Sequence, residues 1–343
     1  MRCGSSAPFD ETVTVENINE SLTAERYRVF SQINADLSPT YTRLALEIAD
    51  DAEMLRRIDT LPPAKRQAGF LFSAARYLDI TIDDYVSFRD HLVSEWPAVE
   101  RLAEERTVQT NDPARLLAML PVLARIDGPI ALLEVGASAG LCLNLDRYSY
   151  RYDGGEWLHP ADGPSTVALE CSVRGDVPVS ARIPEVVWRA GIDLNPLYID
   201  SEEDTRWLRA LLWPDNEERR RNVDAAIEVM REHPVHVTQG DLNDELLNVV
   251  AQAPQDATLV IMHSAVLSYL TQSDAERFVR TVSDLDAVWI ANEMADIVPG
   301  IDIETGQVEP FSFVVSEGGL PVAHAHPHGE WIRWLKPLPP AVE

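Results

Sequence analysis

The sequence predicts an α/β protein, a parallel sheet with crossover helices preceded by an all-helical region. Three observations carry this. Up to about residue 127 the apolar residues recur at helical spacing, and no strand-like run is found. After Gly128-Pro129, short apolar runs alternate with amphipathic stretches, the pattern of parallel strands joined by helices. The first such run, IALLEVG (130–136), leads into the small-residue loop GASAG (136–140).

Residues 1–20 are polar and are expected to form a flexible segment. Residues 21–127 are expected to form a helical cap domain. Leu44, Ile48, Ala52, Leu55 and Ile58 make one stripe after Ser38-Pro39, and Ala68, Leu71, Phe72, Ala75 and Leu78 a second. Ile82, Tyr85, Val86, Leu92, Val93 and Trp96 make a third. Asn111-Asp112-Pro113 is a helix start, and Pro121 is expected to kink the helix that follows. Residues 128–343 form the sheet domain. Its further strands are PEVVWRAGIDLNP ending at Asp193, PVHVTQGDLND passing Asp241, ATLVIMHSAVL and DAVWIANEM. Helical stretches lie between them, around 202–231, 243–253 and 273–285. Residues 147–174, with alternating Tyr148, Tyr150 and Tyr152 and a turn at Asp153-Gly154-Gly155, read as an inserted hairpin. The runs VEPFSFVVSEGGL and PVAHAHPHGEWIRWL read as a closing antiparallel hairpin turning at Glu317-Gly318-Gly319.

The chain carries 56 acidic against 29 basic residues, a net charge of −27, and its only lysines are Lys65 and Lys336. So negative a surface disfavours nucleic-acid backbones and anionic membranes as partners, and the partner expected is a small-molecule substrate. Cys3, Cys142 and Cys171 are far apart and form no C-x-x-C pair, as expected of a reducing, cytoplasmic setting. No window reaches the roughly 20 apolar residues of a membrane span. The oligomeric state stays open.

The GASAG loop admits two chemistries. As G-x-S-x-G it would expose Ser138 as a hydrolase nucleophile. Such a site needs earlier strands and a glycine-rich oxyanion loop, and neither precedes residue 130. Its triad would draw on Asp296 or Asp302 and on His324, His326 or His328. As a nucleotide loop, its small residues let backbone approach a ligand. A ribose then needs a carboxylate at the second strand tip, where Asp193 stands, and an amino-purine an acceptor at the third, where Asp241 stands. If the insert held the true second strand, Glu170 would compete with Asp193. An NAD-dependent enzyme is disfavoured because the loop is followed by a long gap to the strand-tip acid Asp193, where that motif has its acid about 20 residues on.

The order of E-V-G-A-S-A-G, G-I-D-L, G-D-L and a closing hairpin resembles the class I S-adenosylmethionine-dependent methyltransferases, over roughly 130–335. Longer stretches such as HSAVLSYL and HPHGEWIRWL are similar to a domain-of-unknown-function family with that core. The resemblance implies a Rossmann-like, methyltransferase-type seven-stranded sheet and S-adenosylmethionine as cofactor. It would put Glu134 and Gly136 near the methionine moiety, Ser138 and Gly140 in the turn, Asp193 and Leu194 at the ribose and adenine, and Asp241 and Leu242 at the adenine edge. Ser138 stands where that pattern has a glycine. A protein that keeps the fold and binds a nucleoside without turnover would fit the altered loop.

Methyl transfer to oxygen or nitrogen needs positioning and, for some acceptors, a base. His263, at the end of the fourth strand, is the candidate base. Asn292 and Glu293, at the end of the fifth, are candidates to bind the acceptor. Alternate histidines on one strand could share a metal, but Pro327 interrupts His324-x-His326-x-His328 and no cysteine is near. No metal is expected.

Overall fold

The computed structural model describes residues 15–35, 37–179, 182–295, 297–300 and 312–335. The chain divides into two compact units, one reaching Val108 and taking in Ala210–Asn216, the other made of Gln109–Arg209 and the chain from Glu217 on. The unit boundary therefore lies at residue 108, ahead of the expected 127. The helix Leu116–Leu123, buried along its whole length, packs on strands of the second unit.

The first unit is helical. The first apolar stripe is two helices, Pro39–Ala49 and Ala52–Thr60, because Asp51 caps the second by accepting the amides of Glu53 and Met54. The third stripe is likewise split, into Tyr85–Ser94 and Trp96–Glu105, and Val86 lies exposed. Phe72 centres the core, stacked on Tyr41 at 4.5 Å and edge-on to Phe30 and Phe88. Trp213 packs on Phe30 and Tyr41, and Thr40 donates to Asp215 at 2.7 Å.

The second unit is built on one sheet of ten strands, three more than expected. They are β1 (Ile130–Val135), β2 (Ser149–Tyr152), β3 (Ala168–Arg174), β4 (Val186–Asp193), β5 (Val237–Gln239), β6 (Thr258–Ser264), β7 (Val288–Met294), β8 (Phe313–Glu317), β9 (Leu320–Ala325) and β10 (Trp331–Trp334). Their order is β2-β3-β10-β9-β8-β7-β6-β1-β4-β5. Strands β5, β4, β1, β6 and β7 pair in parallel, and β8, β9 and β10 follow β7 as antiparallel neighbours. From β1 the chain first runs to β2 and β3 at the far edge, then adds β4 and β5 on one side of β1 before it places β6 on the other. That reversal makes a topological switch point between β1 and β6.

Three local expectations are corrected. No crossover α-helix follows β1; a kinked 3₁₀ segment, Leu141–Arg147, carries the chain directly to β2. The 147–174 insert is no hairpin, since β2 and β3 pair in parallel, Ser149 opposite Ala168. The Asp153-Gly154-Gly155 turn does bring Leu158 back antiparallel to Tyr150, but the chain then loops through Pro160 and Pro164 and re-enters in the first direction. The last run splits into β9 and β10 at the His326–Gly329 turn. The hairpin β8–β9 itself forms as expected.

Apolar residues of β1, β4, β6 and β7 (Leu133, Val135, Ile192, Ile261 and Ala291 among them) pack one sheet face onto the helices Leu242–Val250 and Gln272–Ser283. A buried ion pair between Asp112 and Arg219 anchors the segment ahead of β1. The β9–β10 turn lies close against that segment. At Gly329, with φ +76°, an added Cβ would stand 2.1 Å from the carbonyl oxygen of Ala114. Gly329→Ala is therefore expected to lower stability by roughly 2–4 kcal/mol in urea unfolding, through left-handed strain plus a backbone clash. Gly318→Ala, at φ +56° in open space, should lose only about 1 kcal/mol. Equal losses would contradict the close approach.

Candidate functional site at the sheet switch point

The loops that leave β1 and β4 are bonded to each other. The amides of Gly136 and Ala137 both donate to the carbonyl of Ile192, at 2.8 and 3.1 Å. Ser138 takes a left-handed conformation, φ 50°, which costs a non-glycine residue about 1–2 kcal/mol. Asp193 offsets that strain: its Oδ2 accepts the Ser138 amide at 2.7 Å and its Oδ1 the Asn195 amide at 2.8 Å. Burial nonetheless raises the Asp193 pKa, the two amide donors opposing it.

The Ser138 hydroxyl, itself buried, donates to the Gln109 carbonyl at 3.0 Å, and the Gln109 side chain donates to the Asn195 carbonyl at 2.7 Å. No imidazole is among its bonds, so the arrangement is not that of an activated nucleophile. Asp296 and Asp302, the acids such a triad might use, lie outside the described residues. The glycines of the loop also answer to packing. A Cβ on Gly136, φ +71°, would fall 2.2 Å from a methyl of Val266, and one on Gly140 would press on Met230.

Strand register divides the remaining candidates between the two faces. Glu134 is level with Gly191 on β4 and with Met262 on β6, so Asp193 and Ser264, two residues further along, share its face. Asn292, level with Ser264, shares it too. His263 and Glu293 have the opposite parity and point into the apolar core. His263 is fully buried between Phe278 and Trp289. The Trp289 indole, a donor only, gives its hydrogen to Nε2 at 3.0 Å, so the imidazole proton sits on Nδ1 and is donated to Glu293 Oε1 at 2.7 Å. Both nitrogens are occupied, and His263 has no lone pair for a substrate. The same Glu293 oxygen accepts the amides of Val266 (2.8 Å) and Leu267 (3.3 Å), which holds the loop after β6 where Ala265 adopts φ 58°. The pair thus shapes the loop that packs on Gly136.

Glu134 is the outlier. It is 4% exposed, and its Oε2 is buried with no hydrogen-bond partner. Burial raises its pKa to about 8; Arg115 opposes this, Asp193 adds to it, and a bond with Cys142 opposes it weakly. Arg115 donates to the Ser264 carbonyl at 3.2 Å, and Asn292 donates to the Ser264 hydroxyl at 3.1 Å. Asp241 caps the helix Leu242–Val250 from the tip of β5, accepting the Asn243 amide at 2.8 Å, and is otherwise exposed. Leu194 is 62% exposed beyond Asp193, whereas Leu242 is 8% exposed in the core. Glu170 lies far along the sheet on β3, paired with Arg151, so the strand beside β1 ends in Asp193.

The rings of His326 and His328 meet edge-on at 5.7 Å, but the three histidines form no metal-binding group among the described residues. His324 is buried on β9 beside Ser312, whereas His326 and His328 lie in the turn. Burial, with Arg219 nearby, pushes the His326 pKa down to about 4. Arg115 and Gln109 are not recognisable as site residues in the sequence. Nothing local marks either, because each acquires its partners only when the segment before β1 folds across the strand tips.

These features define a mixed α/β protein whose polar candidate site lies at the switch point of a mostly parallel sheet. The chain belongs to the family described as "Uncharacterized protein conserved in bacteria (DUF2332)", which matches it over residues 24–334. No curated protein matches it. Among the described residues, no helix is long and apolar enough to cross a membrane.

The Glu134 carboxyl gives a signed pH dependence. Its folded pKa, about 8, exceeds the ordinary 4.5, so the folded state takes up a proton between those values. The group's favourable contribution is complete below pH 4.5 and is lost as pH rises toward 8. Glu134→Gln should therefore leave stability nearly unchanged at pH 4.5 but raise it by several kcal/mol, in order of magnitude, at pH 8 and above. A constant difference between wild type and variant across urea titrations at these pH values would contradict the burial of an unsatisfied carboxylate.

Proposed function

We propose that the second unit binds S-adenosylmethionine at its switch point and transfers the methyl group to a small-molecule acceptor. The observation that carries this is the unsatisfied, buried oxygen of Glu134 beside two further carboxylates, Asp193 and Asp241, at successive strand tips. A buried carboxylate without a partner calls for a cationic or hydrogen-donating ligand, and three carboxylates in a row repel a pyrophosphate.

The residues fit such a ligand in kind. Asp193, held by two amides, keeps lone pairs for two ribose hydroxyls. Asp241 offers an exposed acceptor to an amino-purine, with exposed Leu194 as the apolar surface near it. Leu242, in the core, takes no part. Bound S-adenosylmethionine supplies an electrophilic methyl group on a sulfonium. The chain's own work is then orientation: Glu134 neutralises positive charge, Asp193 sets the ribose, and Asn292 and Ser264 present polar groups to the acceptor side. His263 and Glu293 act from the core as positioning residues for the loop after β6.

One observation favours a second reading, nucleoside binding without turnover. Of the three residues expected to carry chemistry, only Asn292 lies on the Glu134 face, and an amide cannot take a proton from an acceptor. Binding of S-adenosylmethionine without formation of S-adenosylhomocysteine, across a panel of small acceptors, would select that reading.

Calorimetric titration tests the shared core of both. S-adenosylmethionine and S-adenosylhomocysteine are expected to bind, and Asp193→Asn to weaken both at least about tenfold, some 1.4 kcal/mol. Ser138→Ala should bind normally, and a fluorophosphonate should not label Ser138. No binding to folded, ligand-free protein would contradict the assignment.

A further inference from the structure

Ser138 keeps a left-handed backbone, φ 50°, that a glycine would adopt without strain. The bond from its amide to Asp193 does not explain the serine, because a glycine amide would donate equally well. Only the hydroxyl distinguishes the two residues, and both of its hydrogen bonds go to Gln109. It donates to the Gln109 carbonyl at 3.0 Å and accepts the Gln109 side-chain amide at 3.4 Å. The same side chain donates to the Asn195 carbonyl at 2.7 Å. Gln109 thus joins Ser138 to Asn195, the two residues whose amides Asp193 holds, and stands beside that carboxylate.

Gln109 begins a strap that crosses the ends of the central strands. Asn111 accepts the Leu141 amide at 2.7 Å, after β1, and Arg115 donates to the Ser264 carbonyl at 3.2 Å, at the end of β6. The two parts of the strap are held differently. From Asn111 on it is anchored: Asn111 is 4% and Asp112 0% exposed, Asp112 is paired with Arg219, and Ala114 lies against Gly329. Gln109 and Thr110 are half-buried and lie in no helix or strand. The strain at Ser138 and the neutral hydrogen bonds of its hydroxyl are of the same order, so the serine adds little net stability. A fastening so nearly balanced can open and reclose. We propose that Gln109 and Thr110 form a gate over Asp193, hinged at Asn111, and that Ser138 is its catch. The inference rests on the reading above only in taking a nucleoside as what the gate admits.

A gate closed both before and after binding adds its opening cost to entry and exit alike, so its catch sets the rates and not the affinity. Two measurements test this with Ser138→Gly, which keeps the turn, and Gln109→Ala. In ligand-free protein, amide exchange at 109–111 is expected to rise at least about fivefold in both variants. Exchange in β1 and β4 should stay as in the wild type, which shows that each variant is folded. No rise at 109–111 would overturn the catch without reference to any ligand. In rapid mixing with S-adenosylhomocysteine, association and dissociation should both quicken by one common factor, at least about fivefold, with the dissociation constant kept within about twofold. Unchanged rates in variants whose 109–111 exchange has risen would overturn the gate. A rise in dissociation alone, the mark of a lost ligand contact, would overturn it too. If the wild type binds no S-adenosylhomocysteine, the nucleoside reading falls and the gate falls with it, while the exchange result still decides the catch.

Discussion

The carboxylate of Asp193 holds together the end of the sheet on which the candidate site depends. It accepts the amide of Ser138 in a conformation that serine adopts only at a cost, and the amide of Asn195 in its own loop. With the Gly136 and Ala137 amides on Ile192, these bonds make the loops after β1 and β4 one rigid piece. Charge-assisted bonds of this kind are worth roughly 1.5–3 kcal/mol each, enough to outweigh the left-handed turn. The loop after β6 is fixed separately, by Glu293 from the core, and it meets the first piece where Val266 packs on Gly136. The switch point is thus framed by two separately braced loops.

Two buried glutamates show how differently one residue type is used. Glu293 has His263 and two loop amides on one oxygen, and its role is explained by the fold. Glu134 has a buried oxygen without a donor, and Nε of Arg115, which opposes its rise in pKa, lacks a partner among the described residues. A fold can lower its energy by replacing such a carboxylate, as the predicted stabilisation by Glu134→Gln expresses, so its presence points to a ligand.

Much of this was legible in the sequence. The switch to alternating apolar runs after residue 128 located the five parallel strands, and the positions of Asp193 and Asp241 at strand tips followed from their order. The face on which each side chain lies was legible as well. His263 follows Ile261 at a spacing of two, and Glu293 follows Trp289 and Ala291, so both belong to the apolar face by period alone. Chemical type and parity disagree at these two positions, and the fold follows parity: the histidine that its chemistry offers as a base is sealed in the core. What could not be read lies in long-range pairing. The parallel return of β3, its place at the far edge beside β10, and the approach of Arg115 to Ser264 depend on chain segments that meet only in the folded molecule.

The most direct measurement of the central claim is amide hydrogen exchange with and without saturating S-adenosylhomocysteine. A ligand seated at the switch point should slow exchange in the segments 136–141, 193–197 and 240–243, and leave the far-edge strands β2, β3 and β10 unchanged. Saturated binding with no protection in those three segments, or with protection confined to the far edge, would contradict the placement of the site.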